Sequence, residues 1–456
     1  MPSIYLIWIL VRVSQTINQS EGQTVASLTE RLVGLIRGKQ VSDADLHQTA
    51  LLTLDAVANM IAGRNSVPGR KLLKWVTGRQ GDAARRAFVM GGLTHILEVD
   101  DIHRASVVHT GCVTVPVALS LAVDQELPGE KLLKSILFGF EASSRIGMAV
   151  GPGHYKIWHN TATCGPYGSG MTAATVFDLS DEQTTHALGN AGTQSAGLWE
   201  FLETGAMTKH LHAGRAAEAG LVAAELAALD FTGPPAILEG NAGFFAGACP
   251  DPDPDAVLRN PEEKWQVHST SVKPWPACRH THPAIDASLA LFDDLNGSSI
   301  ERIEVETYQA AIDVCDRPVA NSEYEGKFSL QHCVAAALSR GQIDFLAFGQ
   351  EARREAAELA TKVNVTSADP YATSYPGSWG AAVSVILSNG RILKSAKPEC
   401  KGDPEAALND QEMISKAEDL IRFGGFNDPA PVIEGIIEMS HGGKSINVQN
   451  ILVPIN

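Results

Sequence analysis

The sequence predicts a mainly α fold, a large all-helical domain with a smaller α/β domain inserted toward its C-terminal end, and three observations predict it. Apolar residues recur at helical spacing from Thr24 to about Gly240. After the Pro/Asp-rich stretch Pro250 to Pro254 the texture changes to short alternating runs and an Asn-Gly turn. The tail then returns to helical spacing. With 456 residues, 44% of them hydrophobic, the chain has ample apolar surface for one large core or two, which excludes disorder and a stapled miniature fold.

The elements follow in order. Residues 1–23 read as an N-terminal extension. Its apolar segment, Ile4 to Val11, is far shorter than the roughly 20 residues that span a bilayer. It also lacks the basic lead and the small-residue cleavage site of an export signal. Val25, Leu28, Leu32 and Ile36 mark a first helix, and Leu46, Ala50, Leu54, Val57 and Ile61 a second, behind a Ser42/Asp45 capping box. Further helices are expected at 114–124, 130–150, 169–177, 181–190 and 214–229, with so many interior Ala, Gly and Ser that several closely packed layers are implied. A helix at 410–423 rejoins this part, so the helical domain takes 24–267 and 401–456. The α/β domain takes 268–400. Its strands are a run through Ile300, Ile303 and Val305, another at 362–366, and a hairpin in which Val383, Val385 and Leu387 lead through Asn389-Gly390 into 391–393. Helices at 283–295 and 329–339 accompany them. There is no internal repeat and no low-complexity tract.

The 36 basic and 52 acidic side chains leave a net charge of −16, which argues against nucleic acid, whose binding depends on Lys and Arg displacing counterions. The same charge opposes an anionic substrate unless positive groups are gathered locally. Seven cysteines (Cys112, Cys164, Cys249, Cys278, Cys315, Cys333 and Cys400) are scattered with no CxxC pair, so neither a disulfide framework nor a zinc ribbon is expected. A reducing, cytoplasmic setting and no membrane partner are the expectations.

Four clusters carry chemistry. His95-Ile96-Leu97-Glu98-Val99-Asp100-Asp101-Ile102-His103 continues to His109-Thr110-Gly111 and leads into an apolar helix, whose N-terminus suits a carboxylate ligand. His109 is its candidate acid or base, since imidazole titrates near neutral pH; the same residues read equally well as helix caps and packing histidines. Trp158-His159-Asn160-Thr161 follows a Gly-Pro-Gly loop, with glycines that match neither GxGxxG nor a Walker A pattern. Lys209-His210-Leu211-His212-Ala213-Gly214-Arg215 opens a small-residue helix. From Trp265 through Ile285 there is no acid at all, while Lys273, Arg279, His280 and His282 fall within it. These last two runs gather positive charge in an acidic chain. No metal is expected, because neither His103/His109 nor His280/His282 has HExxH or another recognised ligand spacing.

Together with Leu238-Glu239-Gly240 and Lys327-Phe328-Ser329-Leu330-Gln331-His332, the runs Lys209-His210-Leu211-His212-Ala213-Gly214-Arg215 and Lys273-Pro274-Trp275-Pro276-Ala277-Cys278-Arg279 resemble the MmgE/PrpD family. The resemblance runs in order from about residue 24 to the C-terminal helix. It implies a helical domain with an α/β lid, a homodimer, a cleft site with no metal or organic cofactor, and one of three activities: 2-methylcitrate dehydratase, cis-aconitate decarboxylase or iminodisuccinate epimerase. Carried over, the family's site positions fall on Glu98, Asp101, His109, His159, Lys209, Lys273 and His282. Three positions depart from the family pattern: Ile102 replaces a frequent Thr, Glu98 replaces the Asp of the decarboxylases, and His332 replaces a common Tyr.

Proton removal next to a carboxylate builds charge on carbon, so such a site needs cations, hydrogen-bond donors and a base of near-neutral pKa. On this reading Lys209, Lys273 and Arg279 hold the carboxylates of a small di- or tricarboxylate, with Glu98 and His332 also at the substrate. His159 and His282 polarise, His109 moves the proton and Asp101 orients an imidazole. The leading expectation is a hydro-lyase of the 2-methylcitrate type, then an epimerase of an imino-dicarboxylate, a decarboxylase, or a non-catalytic carboxylate binder.

Overall fold

The computed structural model describes residues 26–77, 81–124 and 126–446; the predicted extension 1–23 lies outside them. The fold is mainly α. Helices α1 (Leu28–Gly38), α2 (Asp43–Gly63), α3 (Val67–Val76) and α4 (Ala83–His95) are followed by α5 (Gly111–Ala122), α6 (Gly129–Ala149), α7 (Asn160–Val176), α8 (Asp181–Gly192) and α9 (Thr208–Ala227). Both expected N-terminal signals are present as capping boxes: Ser27 with Glu30 opens α1, and Ser42 with Asp45 opens α2.

The layers touch because small residues line their contacts. Helix α7 packs on α6 and on α9, and α9 also lies against α4. A Cβ at Gly220 of α9 would lie 2.2 Å from the Gly170 backbone nitrogen of α7, so only glycine permits that approach. The expected helix at 169–177 begins nine residues earlier, at Asn160, with Pro166 inside it. The helix expected from 214 begins at Thr208, which puts Lys209, His210 and His212 on the helix itself. The periodicity marked no helix at α4 because nearly every residue of it is buried, which erases the polar stripe.

The second unit contains α10 (His282–Leu289), α11 (Leu330–Arg340), α12 (Gln350–Ala360) and a four-stranded sheet. Its strands are β3 (Ile300–Thr307), β4 (Val363–Ser367), β5 (Ala381–Leu387) and β6 (Ile392–Lys397), in the order β4-β3-β5-β6. Strand β3 runs parallel to β4 and antiparallel to β5. The β5–β6 hairpin turns at Asn389-Gly390, with Gly390 at φ 81°. The helix expected over 283–295 is broken into α10 and a short turn at Phe292–Leu295. This unit has its own apolar set, including Ile303, Val305, Val334, Val383 and Val385. The helical unit packs around another, from Leu28 through Val272 and again from Met413 to Met439. Helices α13 (Asp410–Phe423) and α14 (Ala430–Met439) return to α2. No described helix is long and apolar enough to cross a membrane.

A two-stranded ladder, β1 (Ile102–His103) with β2 (Thr270–Ser271), joins the turn after α4 to the acid-free run. Nothing in the local sequence announces it, and it brings the first and fourth clusters together.

Candidate active site

The turn between α4 and α5 is the centre of the site. Glu98 is held at φ 62°, a left-handed conformation that costs a non-glycine residue about 1–3 kcal/mol. Lysines hold it from three directions. Lys327 Nζ donates to Leu97 O at 3.3 Å, Lys273 Nζ to Glu98 O at 3.0 Å, and Lys416 Nζ to Val99 O at 2.7 Å. Three successive carbonyls are thus each fixed by an ammonium, two from the segment around the α/β unit and one from α13.

The Glu98 side chain is buried between two cations. Lys209 Nζ lies 2.6 Å from both carboxylate oxygens, and Lys273 Nζ lies 3.5 Å from Oε2. Burial alone would raise the Glu98 pKa, but Lys209 and Lys273 outweigh it and hold the carboxylate well below its ordinary range. Burial likewise draws Lys273 down, opposed by Glu98. Arg279 is paired with the buried Asp403, which also accepts from Ser271 Oγ at 2.7 Å. Burial opposes the charge of Arg279, yet Cys400 and Asp403 raise its pKa. The acid-free run is therefore neutralised in space by acids from elsewhere in the chain. Counting Glu98, Asp403, Lys209, Lys273 and Arg279, two negative and three positive groups leave one net positive charge.

Beside these cations lies a row of imidazoles. His95 Nδ1 and His109 Nδ1 both face Asp100 Oδ2, at 2.7 and 3.3 Å. The His95 ring meets His109 edge-on at 4.5 Å and stacks on His159 at 5.6 Å. His159 Nδ1 in turn lies 3.3 Å from His212 Nδ1, and its ring is 4.7 Å from Trp199. Burial is the main cause that lowers the pKa of His109, His159 and His212. It brings His109 down to about 3 despite Asp100, with His95 and Lys273 adding to the effect. It also pushes His159 well below the usual imidazole range, together with His95 and Lys209.

Both sets border one cavity of about 620 Å³, lined by Glu98, His109, His159, Lys209, Lys273 and Arg279 among others. Six of the nine residues expected at the site therefore meet there; Asp101, His282 and His332 do not line it. The orienting role expected of Asp101 is corrected. Its two oxygens each accept from Gly111 N at 3.1 Å, closing the start of α5, and burial beside Asp100 and Asp55 pushes its pKa well up. The carboxylate that meets the imidazoles is its neighbour Asp100. The substrate contact expected of His332 is corrected as well: its ring bonds to Ala347 O at 2.9 Å and packs on Phe348 inside the α/β unit. His282 is buried behind the cavity wall, with Nε2 3.2 Å from Ala277 O and Nδ1 without a hydrogen-bond partner among the described residues.

Sequence reasoning missed Asp100 as a functional residue, His95 and His212 as parts of the row, and Asp403. The first three sat inside clusters already singled out. Asp403 had no local signal, since it reaches the site across 132 residues of chain from Ser271.

Among the described residues, His95, Asp100 and His109 form a group whose ligand atoms all lie within 4.8 Å of one another, the spacing a metal ion would use. The 2.7 Å between His95 and Asp100 is a hydrogen bond, shorter than the about 3.3 Å that separates ligands around a tetrahedral ion with bonds of about 2.0–2.1 Å. The trio fits a hydrogen-bonded acid-imidazole pair better than an ion cage.

A mainly α protein with an inserted α/β unit and a pocket lined by imidazoles and paired lysines has the architecture of an enzyme. Residues 31–256 match the MmgE/PrpD N-terminal domain and residues 275–439 the MmgE/PrpD C-terminal domain, so the chain belongs to the MmgE/PrpD family and is an enzyme of that type. It is 25% identical to the cis-aconitate decarboxylase of Mus musculus over 86% of both chains. It is 26% identical to that of Homo sapiens, over 72% of this chain and 71% of the relative. It is 24% identical to that of Aspergillus terreus, over 74% of this chain and 78% of the relative.

Proposed function

We propose that the protein is a lyase that transfers a proton at the carbon next to a carboxylate of a small di- or tricarboxylate, with elimination of water as the leading reaction. The observation that carries this reading is that a neutral His109 and the Lys209–Glu98–Lys273 cluster line one cavity. The neutral imidazole is the form a base requires, and Asp100 beside it favours the imidazolium that results. Lys209, Lys273 and Arg279 bind the carboxylates and stabilise the enediolate-like charge as it develops. His159 donates to the reacting end of the substrate.

Decarboxylation is the second reading, favoured by the named activity of the three relatives. Proton NMR in D₂O on a panel that includes 2-methylcitrate, cis-aconitate and iminodisuccinate separates the reactions. A new vinylic signal without CO₂ supports dehydration, and CO₂ release supports decarboxylation. Deuterium entering recovered substrate with inverted configuration means epimerisation. No turnover and no exchange across the panel overturns the enzymatic reading of this site.

A further inference from the structure

The cavity is larger and more apolar than a short polycarboxylate requires. Its volume of about 620 Å³ falls in the range of about 300–1,000 Å³ that encloses drug-sized ligands. Beside the charged and imidazole groups, its lining includes Ile157, Leu198 and Trp199, and Val107, Tyr375 and Trp379. That lining is built rather than incidental. Trp379 stacks on His280 at 4.6 Å, and Tyr375 stacks on Tyr308 at 4.5 Å. Val107 packs against that aromatic group at φ 53°, a conformation in which a β-branched residue is a true outlier.

Lys156, Glu200, Glu203 and Asp313 also line the cavity and are exposed. Ile157 and Leu198 stand with them, 55% and 52% exposed, where polar residues would ordinarily sit. A ligand that fits has an anionic head at Lys209, Lys273 and Arg279 and an apolar body.

We propose that the substrate carries an alkyl substituent longer than methyl, so that the polycarboxylate head binds at the cations while the alkyl chain lies along the apolar lining. This rests on the carboxylate reading given above, and the test separates the two. The probes are succinate and its 2-alkyl derivatives from methyl to octyl, with binding measured by calorimetry on the full chain. Each buried carbon of the chain should tighten binding about fourfold, so 2-butylsuccinate should exceed succinate by about 250-fold. In a Val314→Asp variant, which charges the cavity wall, the ratio of butyl to unsubstituted affinity should fall at least tenfold, and this internal ratio is independent of any general loss of binding. A flat or falling series in the wild-type protein overturns the inference. If affinity rises with chain length while no carboxylate is turned over, the lyase reading fails and the alkyl-carboxylate ligand stands.

Discussion

Two sets of basic residues line the cavity, imidazoles and longer cations, and they differ in the carboxylates buried with them. The imidazoles of His109 and His159 have one carboxylate, Asp100, near the row, and desolvation drives them neutral. Lys209 and Lys273 share Glu98, and Arg279 is paired with Asp403, so each of these buried cations has a carboxylate at contact distance. The difference lies in the counter-ion supply. A weak base loses its proton when buried with too little negative charge, whereas a stronger base brought in with a carboxylate keeps it. One set can therefore move protons and the other can hold anions, although both read as basic clusters in the sequence.

Removing the proton mover should have the largest effect. His109→Ala is expected to lower kcat/KM by 10²- to 10⁴-fold, the usual contribution of a positioned acid or base. In the wild-type enzyme kcat/KM should stay level between about pH 7.5 and 5.5, because burial places the His109 pKa at about 3 and the base form persists throughout. An acid limb centred near 6.5 that disappears in the variant would show that His109 is solvated and ordinary, and the contrast between the two sets would break there.

The charged set is tested next, through Glu98→Gln. The amide preserves size but leaves Lys209 and Lys273 as uncompensated buried cations, and breaking such a pair costs about 3–5 kcal/mol. Urea denaturation at neutral pH reads that loss directly. A variant within 1 kcal/mol of wild type would mean that one lysine is neutral or reaches water, which removes the fixed charge on which carboxylate binding depends.

Much of this division was legible in the sequence, and the parts that were not have physical reasons. Helix α13 has the bounds that periodicity marked, since one face is buried and the other solvated. Helix α4 escaped because burial on all sides leaves no period to read. At the site, the Lys209 and Lys273 runs were visible as charge without acid, but their partners Glu98 and Asp403 arrive only through the tertiary fold. The choice between Asp100 and Asp101 was beyond any pattern, because adjacent side chains of the same type diverge only once the turn at Glu98 and the start of α5 are built.

The smallest effect is the most discriminating, because it tests one buried imidazole through stability alone. His210 shares α9 with Lys209 and His212, and burial, helped by His95, lowers its pKa to about 3. Its unfolded value is near 6.5, so below that pH the unfolded chain binds a proton that the folded chain refuses until about pH 3. Unfolding free energy then falls as pH falls, and a single such group accounts for about 1.4 kcal/mol between pH 7.5 and 5.5. Glu98 contributes nothing in that window: its pKa is lowered in the folded state, so its stabilisation is intact above its unfolded value of 4.5 and is lost only at lower pH. Against His210→Gln, wild-type protein should therefore lose about 1.4 kcal/mol more on acidification from pH 7.5 to 5.5, whatever the variant costs at neutral pH. A wild-type-to-variant difference that stays constant across that interval would mean that the buried histidines take up protons as free ones do, and the neutral set would then be no different in kind from the charged one.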